Sequence, residues 1–240
     1  MDAEYRPHYR ELFEKHWWWC ARSDFITAAL RRLDLDARQT TILDVGCGDG
    51  LFFERLSPFG NVEGIDIEDA LPSKSKWEKQ IYRRPFDETF QPTHKYSVIL
   101  MLDVLEHLAD PAAALRNARQ LLARDGLLLA TVPAFNVAWT NHDVLNQHVT
   151  RFTKKSLGEL LENAGLCVEE QHYFFHWTFL AKLLVRVSEA LLPRSPTVPA
   201  VPPRWINKLL YLFCRTEQMT LGRLPVPFGS SLIVRARQKS

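Results

Sequence analysis

The sequence predicts an α/β fold in which helices cover both faces of a doubly wound, mostly parallel, seven-stranded sheet. Short apolar segments alternate with amphipathic ones along most of the chain, as strands and helices do in parallel sheets. The first of these segments runs directly into a glycine-rich turn, where such folds bind ligands. An N-terminal helix and a helical insertion before the last strand complete the expected architecture.

Composition limits the class of protein. The 240 residues are 46% hydrophobic and carry a formal net charge of +2, so one well-buried domain is expected and no nucleic-acid partner is indicated. Four distant cysteines argue against a disulfide framework or a zinc ribbon. The N-terminal residues lack the apolar run of a secretory signal, and His176, Lys182 and Arg186 interrupt the most hydrophobic stretch. We therefore expect a cytoplasmic protein.

The N-terminal segment is expected to be helical over residues 9–33. It contains three consecutive tryptophans, Trp17, Trp18 and Trp19. Neighbouring residues on a helix point about 100° apart, so at least one of these rings must meet another element, a ligand or a membrane surface. Packing in the core is the favoured interpretation.

The glycine-rich turn follows the predicted strand Thr41–Val45. Gly46, Gly48 and Gly50 lack the Cβ that would hold a ligand away from the backbone, although an ordinary strand-to-helix turn remains an alternative. Asp66 ends the next apolar segment about twenty positions later, where doubly wound folds hold a ribose diol. The pattern favours a nucleotide-like cofactor with Asp66 as its ribose clamp.

The remaining core strands are expected at residues 61–67, 80–83, 96–102, 126–132 and 167–174. The segment Tyr96–Leu102 is almost entirely apolar, as a strand covered on both faces should be, and Asp103 follows its carboxyl end. Helices are expected at residues 51–56, 111–123 and 157–164. Asp103 is therefore either a ligand contact or a helix cap.

A long elaboration precedes the last strand. It comprises an amphipathic helix at 177–192 with Leu180, Leu184 and Leu191 on one face, a proline-rich linker, and a second apolar helix at 206–219. Residues 231–236 then supply a final antiparallel edge strand. The single domain spans 1–240 and has four expected parts, namely a helical cap over 1–36, a cofactor-binding core over 37–174, the insertion over 175–227, and the edge strand with its tail over 228–240.

Residues 44–50 read Asp-x-Gly-x-Gly-x-Gly, which resembles the first motif of the class I S-adenosylmethionine-dependent methyltransferases at every fixed position. The resemblance implies a Rossmann-like methyltransferase fold with S-adenosylmethionine as cofactor. It also implies a set of cofactor-binding residues, which are Asp44, Gly46, Cys47, Gly48, Gly50, Asp66, Ile67, Asp87, Leu102 and Asp103. Within this set Asp44 and the glycine loop hold the methionine part, and Asp87 meets the adenine amine.

The resemblance extends beyond the cofactor motif. Residues 14–22, the segment 132–135 and a nearby histidine and aspartate are similar to a bacterial methyltransferase subgroup. This chain departs from the subgroup at Val149, Thr150 and Arg151, where the subgroup tends to carry Arg-Arg-Tyr after the histidine; Arg151 and Phe152 keep the last two of those positions as Arg-Phe. One substrate contact is therefore expected to differ.

His142, Asp143 and His148 follow the fifth strand in a stretch too polar to be core. A neutral imidazole can accept a hydroxyl proton while a methyl group is transferred, and a carboxylate can orient it. We expect His148 to be the base, with His142 as the second candidate and Asp143 as the orienting group. The alternative is that these side chains only bridge loop backbone and that catalysis relies on proximity.

Asp103, Glu106 and His107 resemble the Glu-x-x-Glu-His metal site of some relatives of this fold, including RNA-end and quinone-precursor methyltransferases. Oxygen ligands and an imidazole suit a divalent ion, which His142 or His148 would complete. The favoured alternative is that Glu106 and His107 begin a helix and that no metal is bound.

These features favour a methyltransferase, directed to oxygen, that acts on a small or lipid-linked hydrophobic acceptor. The helices at 175–220 would roof the pocket, form an oligomer interface or contact the inner face of a membrane, with Lys182, Arg186 and Arg194 near lipid headgroups. A non-catalytic cofactor-binding assembly subunit is the alternative from another class. A nucleic-acid methyltransferase is disfavoured, because no Asn-Pro-Pro-Tyr-type motif follows the fourth strand.

Overall fold

The computed structural model describes residues 6–67, 76–192, 195–221 and 224–239. Arg194 lies outside these ranges. The helices are α1 Arg6–Lys15, α2 Trp17–Arg31, α3 Phe53–Leu56, α4 Pro111–Leu121, α5 Asn141–Leu145, α6 Lys154–Asn163, α7 His176–Leu191 and α8 Arg204–Thr220. The strands are β1 Thr41–Val45, β2 Asn61–Asp66, β3 Ile81–Arg83, β4 Tyr96–Leu102, β5 Leu122–Pro133, β6 Leu166–Phe174 and β7 Ser231–Gln238.

The seven strands form one mixed sheet in the order β3-β2-β1-β4-β5-β7-β6, which confirms the predicted fold class. Strands β1 to β5 pair in parallel, whereas β7 is antiparallel to both β5 and β6. The prediction that the last strand lies at the edge is wrong. The strand β7 is apolar and buried along most of its length, while β6 contains Glu169, Glu170 and His172, and so the more polar β6 takes the exposed edge.

The predicted N-terminal helix is divided into α1 and α2 at His16. The backbone of His16 is extended, and its ring Nδ1 accepts a hydrogen bond from the Trp18 amide at 3.2 Å. Burial lowers the pKa of His16 to about 4, so the ring is neutral and able to accept that bond. His16 therefore caps the second helix, and this break turns α1 back toward the glycine loop, where Arg10 pairs with Asp49.

The three tryptophans pack within the protein, as the favoured interpretation predicts. Trp19 is buried beside Leu12, and Trp17 stacks on Trp177 with ring centroids 5.4 Å apart. Trp18 lies against Phe175. These contacts join the N-terminal cap to α7.

Two apolar layers cover the sheet. One layer contains Leu43 and Ile99 of the sheet with residues of α4 and α6, and the other contains Ile42 and Leu100 with residues of α2 and α8. Alternate residues of β1 and β4 therefore enter opposite layers, as a buried parallel sheet requires. The helix α4 ends at Leu121 rather than at 123, because Leu122 is already extended and opposes Tyr96 of β4.

The helices α7 and α8 leave apolar side chains on the outside. Leu184 and Leu191 of α7 are 73% and 75% exposed, and Trp205 and Leu209 of α8 are 71% and 60% exposed. The start of α7 is fixed by Glu217 of α8, whose carboxylate accepts the amides of its first two residues at 2.9 Å each. None of the described helices is long and apolar enough to cross a membrane.

Candidate active site

A cavity of about 1600 Å³ extends from the glycine loop to the insertion. Val45, Asp66 and Leu102, at the carboxyl ends of three adjacent strands, line one side of it. Trp18 of α2 and Thr178 of α7 line the other side. Ligand pockets usually measure about 300–1,000 Å³, so this cavity has room for a cofactor and a second molecule together.

Two glycines shape the loop for different reasons. Gly46 and Gly48 have φ angles of +73° and +58°, a region that side chains disfavour. A Cβ at Gly46 would lie 2.7 Å from Cγ2 of Val104, whereas a Cβ at Gly48 would meet no described atom within 4 Å. Gly46 permits close packing below the loop, and Gly48 leaves a space above it where a ligand can contact the backbone.

Asp66 holds the loop from the end of β2. Its Oδ2 accepts a hydrogen bond from the Gly48 amide at 2.7 Å, and Arg83 donates to the Gly48 carbonyl at 2.7 Å. The backbone N–H and C=O groups of Gly48 are thereby both held in place. Asp66 also lines the cavity, at the position where the predicted ribose clamp would act.

A buried charged network lies where β4 and β5 end. Arg22 of α2 donates to Asp103 at 2.8 Å and to Thr131 at 3.2 Å, and Thr131 donates in turn to Asp103 at 2.9 Å. The Nε of Arg22 is buried and has no hydrogen-bond partner within the described part of the chain. Burial raises the pKa of Asp44 to about 7, although Arg22 opposes the shift. This network ties the N-terminal cap to the cofactor side of the cavity.

The other predicted cofactor residues occupy different positions. Cys47, Ile67 and Asp87 line the cavity, as does Leu102. Asp87 accepts hydrogen bonds from the Thr89 amide and hydroxyl, which lower the pKa of its carboxyl. Gly50 lies outside the cavity lining. Its φ of +76° turns the loop toward α3, so Gly50 shapes the path of the backbone and does not line the cavity.

The predicted acceptor side contains a buried ion-pair network. Asp143 Oδ1 lies 2.8 Å from both His148 Nδ1 and Arg151 Nε, and Arg151 Nη2 donates to the second carboxylate oxygen at 3.0 Å. The hydrogen bond from His148 and the nearby cations outweigh burial and hold the pKa of Asp143 well below its usual range. Thr140 donates to Asp143 as well, which closes a capping box at the start of α5. The carboxylate is ionised and fixes the direction of the His148 ring.

His142 lies one turn from Asn146, whose amide is 3.2 Å from the histidine Nε2. Burial, followed by repulsion from Lys182, lowers the pKa of His142 to about 3. The ring is therefore neutral at physiological pH and a weak proton acceptor. His148 is hydrogen-bonded to Asp143, which is the arrangement that the sequence predicts for the base.

Glu106, His107 and His148 form a cluster in which one ligand atom of each lies within 4.8 Å of the others. Both carboxylate oxygens of Glu106 are buried without a hydrogen-bond partner among the described residues. Burial and the Asp103 charge raise the pKa of this carboxyl well above its usual value. Burial and the proximity of His148 lower the pKa of His107 to about 4. Asp103 is absent from this cluster because its carboxylate pairs with Arg22. Of the two histidines that were expected to complete the predicted metal set, His148 lies in the cluster with Glu106 and His107.

A family model described as a methyltransferase domain matches residues 8–171. The matched region contains the cap, the glycine loop, Asp66 and the Asp143–His148 pair. The chain belongs to the S-adenosylmethionine-dependent methyltransferases. The open space above Gly48 fits a cofactor that makes close contacts with the loop backbone.

The methyltransferase is 30% identical over 186 residues to a ubiquinone biosynthesis O-methyltransferase of Nitrosospira multiformis. The aligned region covers 65% of this chain and 77% of the relative. It is 31% identical over 130 residues to a mitochondrial ubiquinone biosynthesis O-methyltransferase of Candida albicans. The aligned region covers 49% of this chain and 40% of the relative. The match thus spans less than half of that second protein.

Among solved structures, a SAM-dependent methyltransferase from Archaeoglobus fulgidus superposes with a TM-score of 0.57 at 14% identity, covering 90% of this chain and 94% of that one. This likeness shows that the two proteins share a fold.

Three charged residues that line the cavity, Arg22, Arg151 and Lys182, were not predicted as site residues from the sequence. Arg22 ends the segment 14–22 that is similar to the methyltransferase subgroup, and Arg151 keeps the arginine of the subgroup's Arg-Arg-Tyr run, but no site role was predicted for either. Lys182 was expected near lipid headgroups only in the membrane-docking alternative, and in the structure it lines the cavity. On α7 the residues Thr178, Ala181, Lys182 and Val185 share the side that faces the cavity. The spacing 178, 181, 182, 185 is the one signal that would have indicated this face.

Proposed function

We propose that this methyltransferase methylates a hydroxyl oxygen of a small or lipid-linked hydrophobic acceptor, with His148 as the proton acceptor. The observation that carries the proposal is the Asp143–His148 hydrogen bond in the same cavity as the glycine loop. The relatives described above are named O-methyltransferases, which supports oxygen as the methylated atom.

The cofactor side of the cavity provides binding and orientation. Bound S-adenosylmethionine supplies an activated methyl group on a positively charged sulfur. The Gly46–Gly48 backbone and Asp44 would hold its methionine part. Asp66 would bind the ribose, while Ile67 and Asp87 would border the adenine. These contacts would fix the methyl carbon for in-line attack, which supplies much of the rate enhancement in transfer reactions.

The acceptor side supplies the base. Because the ionised Asp143 accepts the Nδ1 proton of His148, the lone pair of Nε2 is available. Bound S-adenosylmethionine would supply the methyl group and keep the electron pair of the carbon–sulfur bond on its sulfur, while Nε2 of His148 would accept the hydroxyl proton of the acceptor. General-base catalysis of this kind contributes about 10²–10⁴-fold to a rate.

As an alternative to the base role of His148, the cluster of Glu106, His107 and His148 fits a divalent cation, which would occupy the Nε2 lone pair of His148. One buried carboxylate without a partner and two imidazoles form a suitable donor set, and Asp143 would orient His148 from behind, as second-shell carboxylates do. A cation held there would lower the pKa of an acceptor hydroxyl. Glu106 and His107 would then position the acceptor, and Glu106 would lose its proton.

The apolar character of the acceptor is supported by the cavity lining and by α7. Phe13, Trp17 and Trp18 line the cavity on the cap side. Val185 both lines the cavity and is 47% exposed, so the cavity reaches the outer surface of α7. We infer that an apolar tail leaves the cavity along this helix.

We also propose that the outer sides of α7 and α8 contact an anionic lipid surface. The exposed apolar side chains of α8 lie beside the exposed cations Arg204 and Lys208, and the single acidic residue of that helix, Glu217, is buried. Apolar faces flanked by basic residues are the pattern of helices that lie in a membrane interface.

Two measurements test the function. Calorimetric titration with S-adenosylmethionine and S-adenosylhomocysteine should give micromolar binding that Asp66→Ala abolishes. Incubation with labelled S-adenosylmethionine and 4-hexylcatechol should transfer the label to oxygen. Cofactor binding without transfer to this or other hydroxylated probes would contradict the proposal and favour a non-catalytic assembly subunit.

A further inference from the structure

Lys182 presents a positive charge to the acceptor side of the cavity. It lies on the cavity face of α7, one turn after Thr178, and its charge acts on Asp143, Arg151 and His142 across the cavity wall. Within the described ranges, no carboxylate oxygen lies within 4.0 Å of its Nζ, and no hydrogen bond of its ammonium group is present. A half-buried lysine without a partner is costly, because the protein has removed water without supplying an anion.

The nearby carboxylates are already occupied. Asp143 accepts hydrogen bonds from Arg151, His148 and Thr140, and Arg151 balances its charge. Glu189, on the same helix, accepts the Asn141 amide at 3.1 Å. Asp103 is paired with Arg22. These carboxylates stabilise the ammonium group of Lys182 only from a distance, and none of them is in contact with it.

We propose that Lys182 binds an oxyanion of the acceptor, such as a carboxylate or phosphate, and so makes the enzyme selective for acidic hydroxylated substrates. This inference rests on the proposed function. Burial, followed by repulsion from Arg151, lowers the pKa of Lys182 to about 8, which is consistent with a site that lacks its anion. A lysine is a compact donor that binds such anions as a point charge.

The cofactor also carries a carboxylate, so the anion that Lys182 binds could belong either to the cofactor or to the acceptor. The glycine loop and Asp66, at the ends of β1 and β2, are assigned to the cofactor, whereas Lys182 lies on α7 with its charge acting on Asp143 and Arg151. The acceptor is therefore the source that we assign to Lys182.

The test uses three matched probes with the full chain, namely 3,4-dihydroxybenzoate, its neutral analogue 3,4-dihydroxybenzamide and the cationic 3,4-dihydroxybenzylamine. Their binding is measured by calorimetry in the presence of S-adenosylhomocysteine, and methyl transfer is measured with labelled S-adenosylmethionine. We expect the wild type to favour the benzoate about tenfold, which corresponds to about 1.4 kcal/mol. Lys182→Met should remove the preference, and Lys182→Glu should shift it toward 3,4-dihydroxybenzylamine. Lys155→Met, an exposed position on α6, is the matched control and should retain the wild-type preference.

Each outcome separates the two claims. Transfer to the benzoate and the benzamide with an unchanged benzoate preference in Lys182→Met would overturn the inference and leave the proposed function intact. Weaker binding of S-adenosylhomocysteine to Lys182→Met would assign the lysine to the cofactor and also overturn the inference. An absence of transfer to any hydroxylated probe by the wild type would count against the proposed function itself, and the anion site would fall with it.

Discussion

Asp143 Oδ1 lies 2.8 Å from His148 Nδ1 inside a fully buried carboxylate site. The same oxygen accepts Arg151 Nε, so the aspartate stays ionised and the imidazole keeps one orientation. Five residues of sequence separate the two side chains, and the short helix α5 with its following turn brings them together. This pair is the basis of the first two predictions.

His148→Ala should lower kcat for methyl transfer to 4-hexylcatechol by about 10²-fold or more, because the proton acceptor is lost. Cofactor affinity should stay within twofold of wild type. His172→Ala, on the edge strand β6, is the control and should be fully active. Near wild-type turnover by His148→Ala with saturating acceptor would show that proximity alone drives the reaction.

Asp143→Ala should lower the free energy of unfolding by about 3–5 kcal/mol, because it leaves the Arg151 guanidinium buried without its partner. Equilibrium urea denaturation measures the change. Glu169→Ala removes an exposed pair with Arg235 and should cost less than about 1 kcal/mol. Equal effects of the two substitutions would contradict the assignment of Asp143 as a buried structural anion.

Asp44 predicts a pH dependence of stability in the cofactor-free protein. Its pKa is raised from 3.8 in the unfolded chain to about 7 in the fold, so the folded state retains a proton that the unfolded state releases. The contribution of this group to stability is therefore complete below about pH 4 and declines until about pH 7, by at most about 4 kcal/mol.

Asp44→Asn removes that dependence. The thermal midpoint of the variant relative to wild type should be higher at about pH 8 than at about pH 5, whereas binding of S-adenosylmethionine should weaken. Differential scanning calorimetry at both pH values measures the change. A constant difference between the two proteins would mean that Asp44 is ionised throughout.

Glu106 predicts a response to divalent cations. Mn²⁺ or Zn²⁺ should raise the thermal midpoint of the wild type, because the unpaired carboxylate and two imidazoles gain a ligand. Glu106→Gln should not respond, and in the presence of a chelator it should be at least as stable as wild type. A wild type that is indifferent to cations would indicate that Glu106 carries a proton instead.

Flotation with anionic liposomes tests the outer helices. The wild type should float, and Leu184→Glu on α7 or Leu209→Glu on α8 should reduce the floating fraction several-fold by placing a charge in the apolar face. Lys155→Glu on α6 should float as the wild type does. If protein remains at the bottom of the gradient and elutes as a dimer, the faces pair with a second copy.

The sequence by itself determined the local elements and the cofactor motif. Apolar periodicity identified β1 and β4, because a strand buried on both faces is apolar along its length. The spacing of Gly46 and Gly48 identified the loop, since close backbone approach requires glycine wherever it occurs. Asp66 followed from the length of one strand-helix-strand unit. Each of these inferences depends on residues that are near one another in the chain.

Only the tertiary structure decided which distant residues meet. It placed β7 between β5 and β6, paired Asp103 with Arg22, and left Glu106 without a partner beside His148. It also turned Lys182 into the cavity, where an amphipathic pattern had indicated the surface. Helical periodicity gives the faces of α7 but not the direction in which each face points, because that direction depends on packing against elements far away in the sequence.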